Sequence, residues 1–431
     1  MSAPLIGLGE NPHARMLVEL VGPNGAGRIQ SVLDSMVSRA DGSYDFGHLS
    51  RTRLIVRQLF GQTPSVVKAN RVVEASMSIN ESPSYRVCVI PGDDSAPEAM
   101  AASLRVLEAM GLPIEWDHVA PGSELAALSM AERESIVHTA IDRCDTTLFG
   151  ASSGITPGAI MMRWGKQTFA NVRPVQWRPG FRSPLRDPSG IDYVIVRENL
   201  EDMYVGVMGD ASELLDAGLA SPRSRIPADV SDARYAAKLI SRAGTEQVAR
   251  FACDLAMSRS RKLTVSAKTN MLPATDRFFC DIAREIAQEY PGLEYEQFIV
   301  DDMAHRLVLA PHGLDVLLLP NLYGDILSDE GAATIGGMGL APSGCYGHGV
   351  AYFESAHGTA PDLIGLGVIN PTATLLSAVM MLRHLGLDDG ASRLDDAVTH
   401  VYGEGRTLPT DQGGEAGTEQ FADAVIATLS D

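Results

Sequence analysis

The sequence predicts an α/β fold, a sheet covered by helices on both faces. Three observations predict it. From about residue 85 onward, short apolar runs alternate with stretches of helical periodicity. Charged residues stand at the ends of those runs, the edge at which open α/β sheets bind ligands. With 431 residues, 45% hydrophobic and 21% charged, the chain has an ordinary globular composition and the length for two or three domains.

Residues 16–60 read as a small unit of their own. Met16 to Val21 is a strand, Gly22-Pro-Asn-Gly25 a turn, and Ile29 to Val37 a helix with Ile29, Val32, Leu33 and Met36 on one stripe. Leu54 to Phe60 is another strand. This order is similar to the opening half of an ACT-type regulatory domain. A structural or oligomerisation extension accounts for it equally well. Residues 61–84, with Gly61-Gln-Thr-Pro64 and Glu81-Ser-Pro-Ser84, read as a linker, so residues 1–84 form a small α+β extension. Tyr85 to Ile90 is then the first strand of the main sheet. It ends in Pro91-Gly-Asp-Asp94, and a helix follows from about Pro97 to Met110. Asp192 to Val196, Lys262 to Ser266 and Val316 to Leu319 supply further strands.

The net charge of −19 argues against nucleic acid and anionic membrane surfaces as partners. No apolar run approaches the length of a membrane span, and no secretory signal opens the chain. The cysteines, Cys88, Cys144, Cys253, Cys280 and Cys345, include no C-x-x-C pair. They read as free, mostly buried thiols of a cytoplasmic protein.

The most informative stretch is Asn321-Leu-Tyr-Gly-Asp325-Ile-Leu-Ser-Asp329, which follows a buried strand. On a helix, Asp325 and Asp329 lie on one face, one turn apart. Their repulsion calls for a counter-charge, and a hard divalent cation is one answer. A solvated acidic face is the other. Elsewhere, Arg163 and Arg173 stand ten residues apart, Arg197 follows a strand, and Tyr204 comes seven residues later. Lys268 and Asn270 lie just past another strand, and Asp301 and Asp302 past a further one. Together the three arginines describe a pocket for a di- or tricarboxylate. The glycine-rich region from Gly336 to Gly344 and from Ser355 to Asp362 suits close approach to a nucleotide, although it is not a G-x-G-x-x-G fingerprint.

In combination these motifs identify a family. Phe169-Ala-Asn-Val-Arg173-Pro, Val196-Arg-Glu-Asn199, Asn321 to Glu330, His357-Gly-Thr-Ala-Pro-Asp362, Asn370-Pro-Thr-Ala and Thr410-Asp-Gln-Gly-Gly414 resemble those of the β-decarboxylating dehydrogenases of isocitrate, homoisocitrate, 3-isopropylmalate, tartrate and D-malate. The resemblance covers about residues 85–431. It implies an isopropylmalate-dehydrogenase-like, two-domain α/β/α sandwich with a mixed sheet. Residues 85–168 and 336–431 would form a large cofactor-binding domain, and 169–335 a small domain with the dimer interface. It implies that Arg163, Arg173, Arg197 and Asn270 bind the substrate, and that Asp301, Asp325 and Asp329 hold Mg2+ or Mn2+. Lys268 would be the base and Tyr204 the proton donor. His357, Gly358, Thr359, Ala360, Asp362 and Asn370 would contact the cofactor. Lys268 and Asp301 would reach the site of a neighbouring chain, making a homodimer the smallest active unit.

The chemistry asks for the same residue types. Oxidising a secondary alcohol needs a proton acceptor and a hydride acceptor. A lysine serves as a base near neutrality where a metal and arginines disfavour its charge. Loss of CO2 leaves an enolate that a metal stabilises, and a tyrosine can then return a proton. Asp362 favours NAD, because a carboxylate accepts from a ribose 2′-hydroxyl and repels a 2′-phosphate. Members that use NADP tend to carry Lys-Tyr where this chain has Asp362-Leu363.

Two places depart from the family pattern. The first-strand loop, usually Gly-Asp-Gly-Ile-Gly-Pro-Glu, reads Gly92-Asp-Asp-Ser-Ala-Pro-Glu98. Asp94 and Ala96 replace glycines, so the loop is expected to lose backbone freedom near the nicotinamide. Ahead of Arg163, Pro157 and Ala159 stand where isocitrate enzymes carry Ser and Asn, leaving Thr156 or a backbone N–H as the groups able to meet a third carboxylate. Ala159, Ile160 and Met161 suit a different side group. The expected activity is NAD- and metal-dependent oxidative decarboxylation of a malate-type (2R)-hydroxy acid. The alternatives are oxidation without decarboxylation, as with tartrate, a tartrate- or D-malate-type dehydrogenase, and a non-catalytic regulatory subunit.

Overall fold

A computed structural model describes residues 85–219 and 232–430. The expected N-terminal unit lies outside the described residues, and Arg86–Asp431 form one compact unit. The strands are β1 (Tyr85–Ile90), β2 (Ile114–His118), β3 (Thr146–Phe149), β4 (Ala170–Gln176), β5 (Asp192–Glu198), β6 (Met208–Asp210), β7 (Arg234–Ala236), β8 (Lys262–Ala267), β9 (Glu294–Ile299), β10 (Val316–Leu319), β11 (Pro342–Tyr346) and β12 (Ala351–Ser355). Ten of them form one sheet in the order β2-β1-β3-β12-β11-β4-β5-β10-β8-β9, while β6 and β7 make a separate ribbon. The expected mixed sheet is present. β1–β3–β12 and β5–β10–β8–β9 run parallel, and antiparallel pairs β12–β11, β11–β4 and β4–β5 join them. Strands from residues 85–168 and 336–431 fill one half of the sheet, and those from 169–335 fill the other.

The longer helices are α1 (Ala96–Ala109), α2 (Met130–Asp142), α3 (Arg242–Ser258), α4 (Phe278–Ala287), α5 (Val300–Leu309), α6 (Asn321–Ile335), α7 (Thr372–His384), α8 (Asp388–Glu404) and α9 (Thr418–Ser430). The alternation of side chains along a strand decides which helix meets which face. On β10, Val316 and Leu318 join Val248 and Ala252 of α3 and Phe279 and Ile282 of α4 in one core. Leu317 and Leu319 point the other way, into a core with Met303 and Leu307 of α5 and Leu327 and Ile335 of α6. All four β10 residues are fully buried. Each such leucine stabilises the fold by about 1.5–3 kcal/mol over an exposed one. Sandwiched this way, β5, β10, β8 and β9 present their C-terminal ends at one edge.

The strand and helix limits differ from expectation in small ways. The first helix begins at Ala96 and ends at Ala109. β5 runs on to Glu198, so Arg197 lies inside the strand rather than after it, opposite Asn171 of β4. Cys88, Cys253, Cys280 and Cys345 are buried free thiols, and Cys144 is half-buried. No described helix is long and apolar enough to cross a membrane.

Candidate active site

The sheet edge gathers the three arginines around α6. Arg163 sits in a π-helical turn, Met161–Gly165. Its Nε donates to the Asn199 carbonyl at 2.6 Å and its Nη2 to Asn321 Oδ1 at 2.9 Å. Arg197, on β5, donates to the same Asn321 oxygen from Nε at 2.9 Å and from Nη2 at 2.7 Å. Its Nη1 is paired with Asp325. Arg173, on β4, donates to Ser328 Oγ at 2.6 Å and lies 3.5 Å from both Asp325 and Asp329. Tyr204, in a 3-10 turn, donates to Asp325 Oδ2 at 2.5 Å, and the guanidinium carbons of Arg163 and Arg197 each lie 5.1 Å from its ring centre.

Asn321 was not among the residues expected in the site, yet it joins two of the arginines. It is fully buried, and its Nδ2 donates to the Glu201 carbonyl at 3.2 Å. The signal was present: Asn321 precedes Asp325 by one helical turn, as Asp325 precedes Asp329. Gly324 also has a reason. A Cβ there would lie 2.6 Å from Arg197 Cγ, so the glycine lets α6 approach the arginine.

Burial shapes the charges. Arg197 is lowered to about 10, by burial first and then by Arg163 and Arg173, so it still carries its charge at neutral pH. Burial pushes Tyr204 up, and Asp325 adds to that through its hydrogen bond and its charge. Burial also raises Asp329, with Arg173 opposing.

Lys268 and Asp301 stand beyond the ends of β8 and β9 and are paired with each other. The lysine holds the Asp301 carboxyl below its ordinary range. Asn270 lies exposed two residues after Lys268. Among the described residues, no group of three His, Cys, Asp or Glu side chains is disposed to hold a metal ion. Asp325 and Asp329 share one helix face, and Asp301 belongs to the lysine's group.

The glycine-rich segment lies in the other half of the sheet. Ser95, fully buried, donates from its N and its Oγ to the Thr359 carbonyl at 3.2 and 2.7 Å. Glu98 accepts from the backbone of Gly365 at 2.6 Å and Gly367 at 3.1 Å. The α1 entry thus anchors the whole 357–367 segment. Ala360 takes a left-handed φ of 46°, Asp362 and Gly358 are exposed, and no atom would crowd a Cβ at Gly358. His357 Nδ1 bonds the Gly358 carbonyl at 2.8 Å, and its Nε2 is a buried polar atom without a partner. Burial lowers this imidazole, which favours the neutral ring. Asn370 is buried, and its side chain is spent on Asp411, Tyr402 and the Thr372 N–H.

The isocitrate/isopropylmalate dehydrogenase pattern matches residues 86–425. The chain belongs to this family. It is 40% identical over 353 residues to an isocitrate/homoisocitrate dehydrogenase of Thermus thermophilus, across 80% of this chain and 98% of that enzyme. It is 38% identical over 348 residues to a 3-isopropylmalate/3-methylmalate dehydrogenase of Methanocaldococcus jannaschii, across 79% and 98%. The crystal structure of isocitrate dehydrogenase from Methylococcus capsulatus superposes with a TM-score of 0.69 at 32% identity, covering 80% of this chain and all of that one.

One expectation from the sequence needs correction. Thr156 is not free to meet a substrate carboxylate, because it already holds a carboxylate of the protein. Its Oγ1 and N donate to Asp93 at 2.5 and 3.1 Å, and Ser152 Oγ, Ser153 N and Ile155 N add bonds of 2.8, 2.9 and 3.1 Å. Burial alone would raise Asp93, and these donors outweigh it and bring its carboxyl below the ordinary range. Asp94 stands where the family pattern has a glycine. It adopts a left-handed φ of 56°, so the loop keeps a glycine-like bend without the glycine. Asp tolerates that region better than most residues. Ahead of Arg163, Ala159 is exposed, and Ile160 keeps 75% of its surface open.

Proposed function

We propose that this dehydrogenase carries out NAD-dependent, Mg2+- or Mn2+-dependent oxidative decarboxylation of a 3-substituted (2R)-malate. The observation that carries the reading is the convergence of Arg163, Arg173, Arg197 and Tyr204 on the Asn321–Asp329 face of α6. Three guanidinium groups with a phenol between two of them suit a hydroxy acid with a carboxylate at each end. The open Ala159–Ile160 surface, with Thr156 engaged by Asp93, favours an apolar or neutral group on C3 over a third carboxylate.

When bound, the cofactor accepts hydride, and the divalent cation steadies the negative oxygen of the enolate. Asp325 and Asp329 supply hard oxygen donors that fit Mg2+ or Mn2+, with Asp301 of a second copy as the third. The arginines hold the substrate carboxylates in competition with Asn321 and Asp325. Lys268 of the second copy takes the hydroxyl proton as the C2–H leaves as hydride. The bond to the departing CO2 then breaks, and Tyr204 returns a proton to the carbon. Its raised pKa keeps that proton in place at neutral pH. His357 Nε2, buried and without a partner, is suited to accept from a cofactor donor. Exposed Asp362 is suited to a ribose 2′-hydroxyl. A homodimer is favoured by exposed apolar residues beside both groups: Ile326 next to Asp325, and Met271 and Leu272 after Lys268.

The test is NADH formation with Mn2+ across isocitrate, homoisocitrate, 3-isopropylmalate, tartrate and D-malate, with and without EDTA, while CO2 release is followed. Metal-dependent NADH formation matched by CO2 is expected for one or more members. NADH without CO2 would replace decarboxylation by simple oxidation. No turnover with any member, with NAD+ still bound, would point to a regulatory subunit.

A further inference from the structure

Lys238 lies between two buried aspartates that the proposed chemistry does not use. Its Nζ is 2.7 Å from Asp276 Oδ1 and 3.2 Å from Asp202 Oδ1, and it sits 4.3 Å above the centre of the Tyr323 ring. Both aspartate side chains are fully shielded, and the lysine side chain keeps 11% of its surface. Leaving either carboxylate buried without its cation is strongly unfavourable, so the three charges stand or fall together. The outer oxygens of the aspartates show what the trio does. Asp276 Oδ2 accepts from the backbone N–H of Lys268 at 2.8 Å. Asp202 Oδ2 accepts from the backbone N–H of Leu322 at 2.9 Å, in the first turn of α6, which carries Asn321 and Asp325. Asp202 itself is two residues before Tyr204 and is held at a left-handed φ of 66°. Such a backbone persists where its surroundings enforce it.

We propose that Lys238 is a positioning residue that locks the Tyr204–α6 group and the Lys268 strand end to one another. This rests on the reading above in which Lys268 serves the site of a second copy. On that reading each Lys238 sets groups belonging to two different active sites, one through Asp202 and one through Asp276.

Two measurements on the full-length dimer test it. In Lys238→Met, hydrogen exchange is expected to speed up at least tenfold at the amides of both Lys268 and Leu322. Val316–Leu319 of β10 stays protected. Unchanged exchange at either amide overturns the proposal, whatever the activity. The second measurement uses mixed dimers carrying two different tags, assayed for NADH formation with Mn2+ and the panel hydroxy acid that reacts fastest. A dimer of one Lys268→Met chain and one wild-type chain keeps about half the activity, because one site is whole. A dimer of one Lys238→Met chain and one wild-type chain is expected to fall well below half, because each site has lost one positioned group. Half or more overturns the two-site role. Where Lys238→Met does not form dimers, Lys238→Arg takes its place under the same rule. A dimer of one Tyr204→Phe chain and one Lys268→Met chain checks the underlying reading separately. Recovered activity there supports shared sites, and an inactive mixed dimer rejects them.

Discussion

The arginine group and the Lys268–Asp301 pair sit at the same sheet edge and are built differently. Arg197 is 3% exposed, and its guanidinium meets Asn321 and Asp325 inside the chain. The side chains of Lys268 and Asp301 are 29% and 57% exposed and meet each other. Burial fixes the first group before any ligand arrives, and the fold presents the second outward. On the proposed reading, the difference teaches that one chain can preorganise substrate recognition yet leave the proton acceptor to a surface that a second copy would cover. It also separates what mutation should do: changes in the first group disturb both fold and binding, and changes in the second should touch chemistry alone.

The hardest blow to that comparison falls at Lys268. Lys268→Met is expected to lower kcat by about 10^2–10^4, the usual worth of a positioned acid or base, with an unchanged melting temperature. Wild-type turnover would remove Lys268 from the chemistry, and a large loss of stability would mean the pair is structural. Asn321→Leu should act in the opposite style. It leaves guanidinium N–H groups without an acceptor, at a cost of about 1–3 kcal/mol in stability. KM for the hydroxy acid should rise about tenfold or more. Unchanged KM and melting would show that the arginines hold themselves. Asp362→Ala is a milder test of the open cofactor segment. KM for NAD+ is expected to rise severalfold and discrimination against NADP+ to weaken, and equal use of both cofactors by the wild type would end that role.

The smallest effect is a pH dependence in the loop ahead of α1. Asp93 has a depressed folded-state pKa. Its stabilisation is present above the unfolded value of about 3.9 and is lost as pH falls through the lower folded one. The melting gap between wild type and Asp93→Asn should therefore be widest near neutrality and close below about pH 4. A gap that does not change between pH 3 and 7 would assign the stabilisation to packing.

Much of this was legible in the sequence, for physical reasons. The strands showed because residues such as Val316 to Leu319 are buried on both faces and leave a continuous apolar run. The carboxylates of α6 showed because helical spacing projects them together. Asn321 obeys the same spacing but carries no charge, so spacing alone does not mark it as the acceptor of three arginine bonds. Asp93 and Thr156 meet across 63 positions, and Ser95 meets Thr359 across 264; no local pattern encodes either contact. Lys238 carries no local signal for the same reason, its partners lying 36 and 38 positions away. Arg197 was expected past a strand end because charge usually stops a buried strand, and the antiparallel neighbour β4 extended it.

The strand order carries a consequence for how this protein is made. β3 finds its second neighbour only in β12, so the ribosome must deliver everything from Phe149 to Ala351 before that edge is covered. At about 5–20 residues per second, the first half-sheet waits roughly 10–40 seconds with a bare parallel edge. Exposed edges of that kind recruit stray strands. The newborn chain is thus most vulnerable to aggregation midway through its synthesis, while the later half-sheet of β4, β5, β8, β9 and β10 is already free to close on itself.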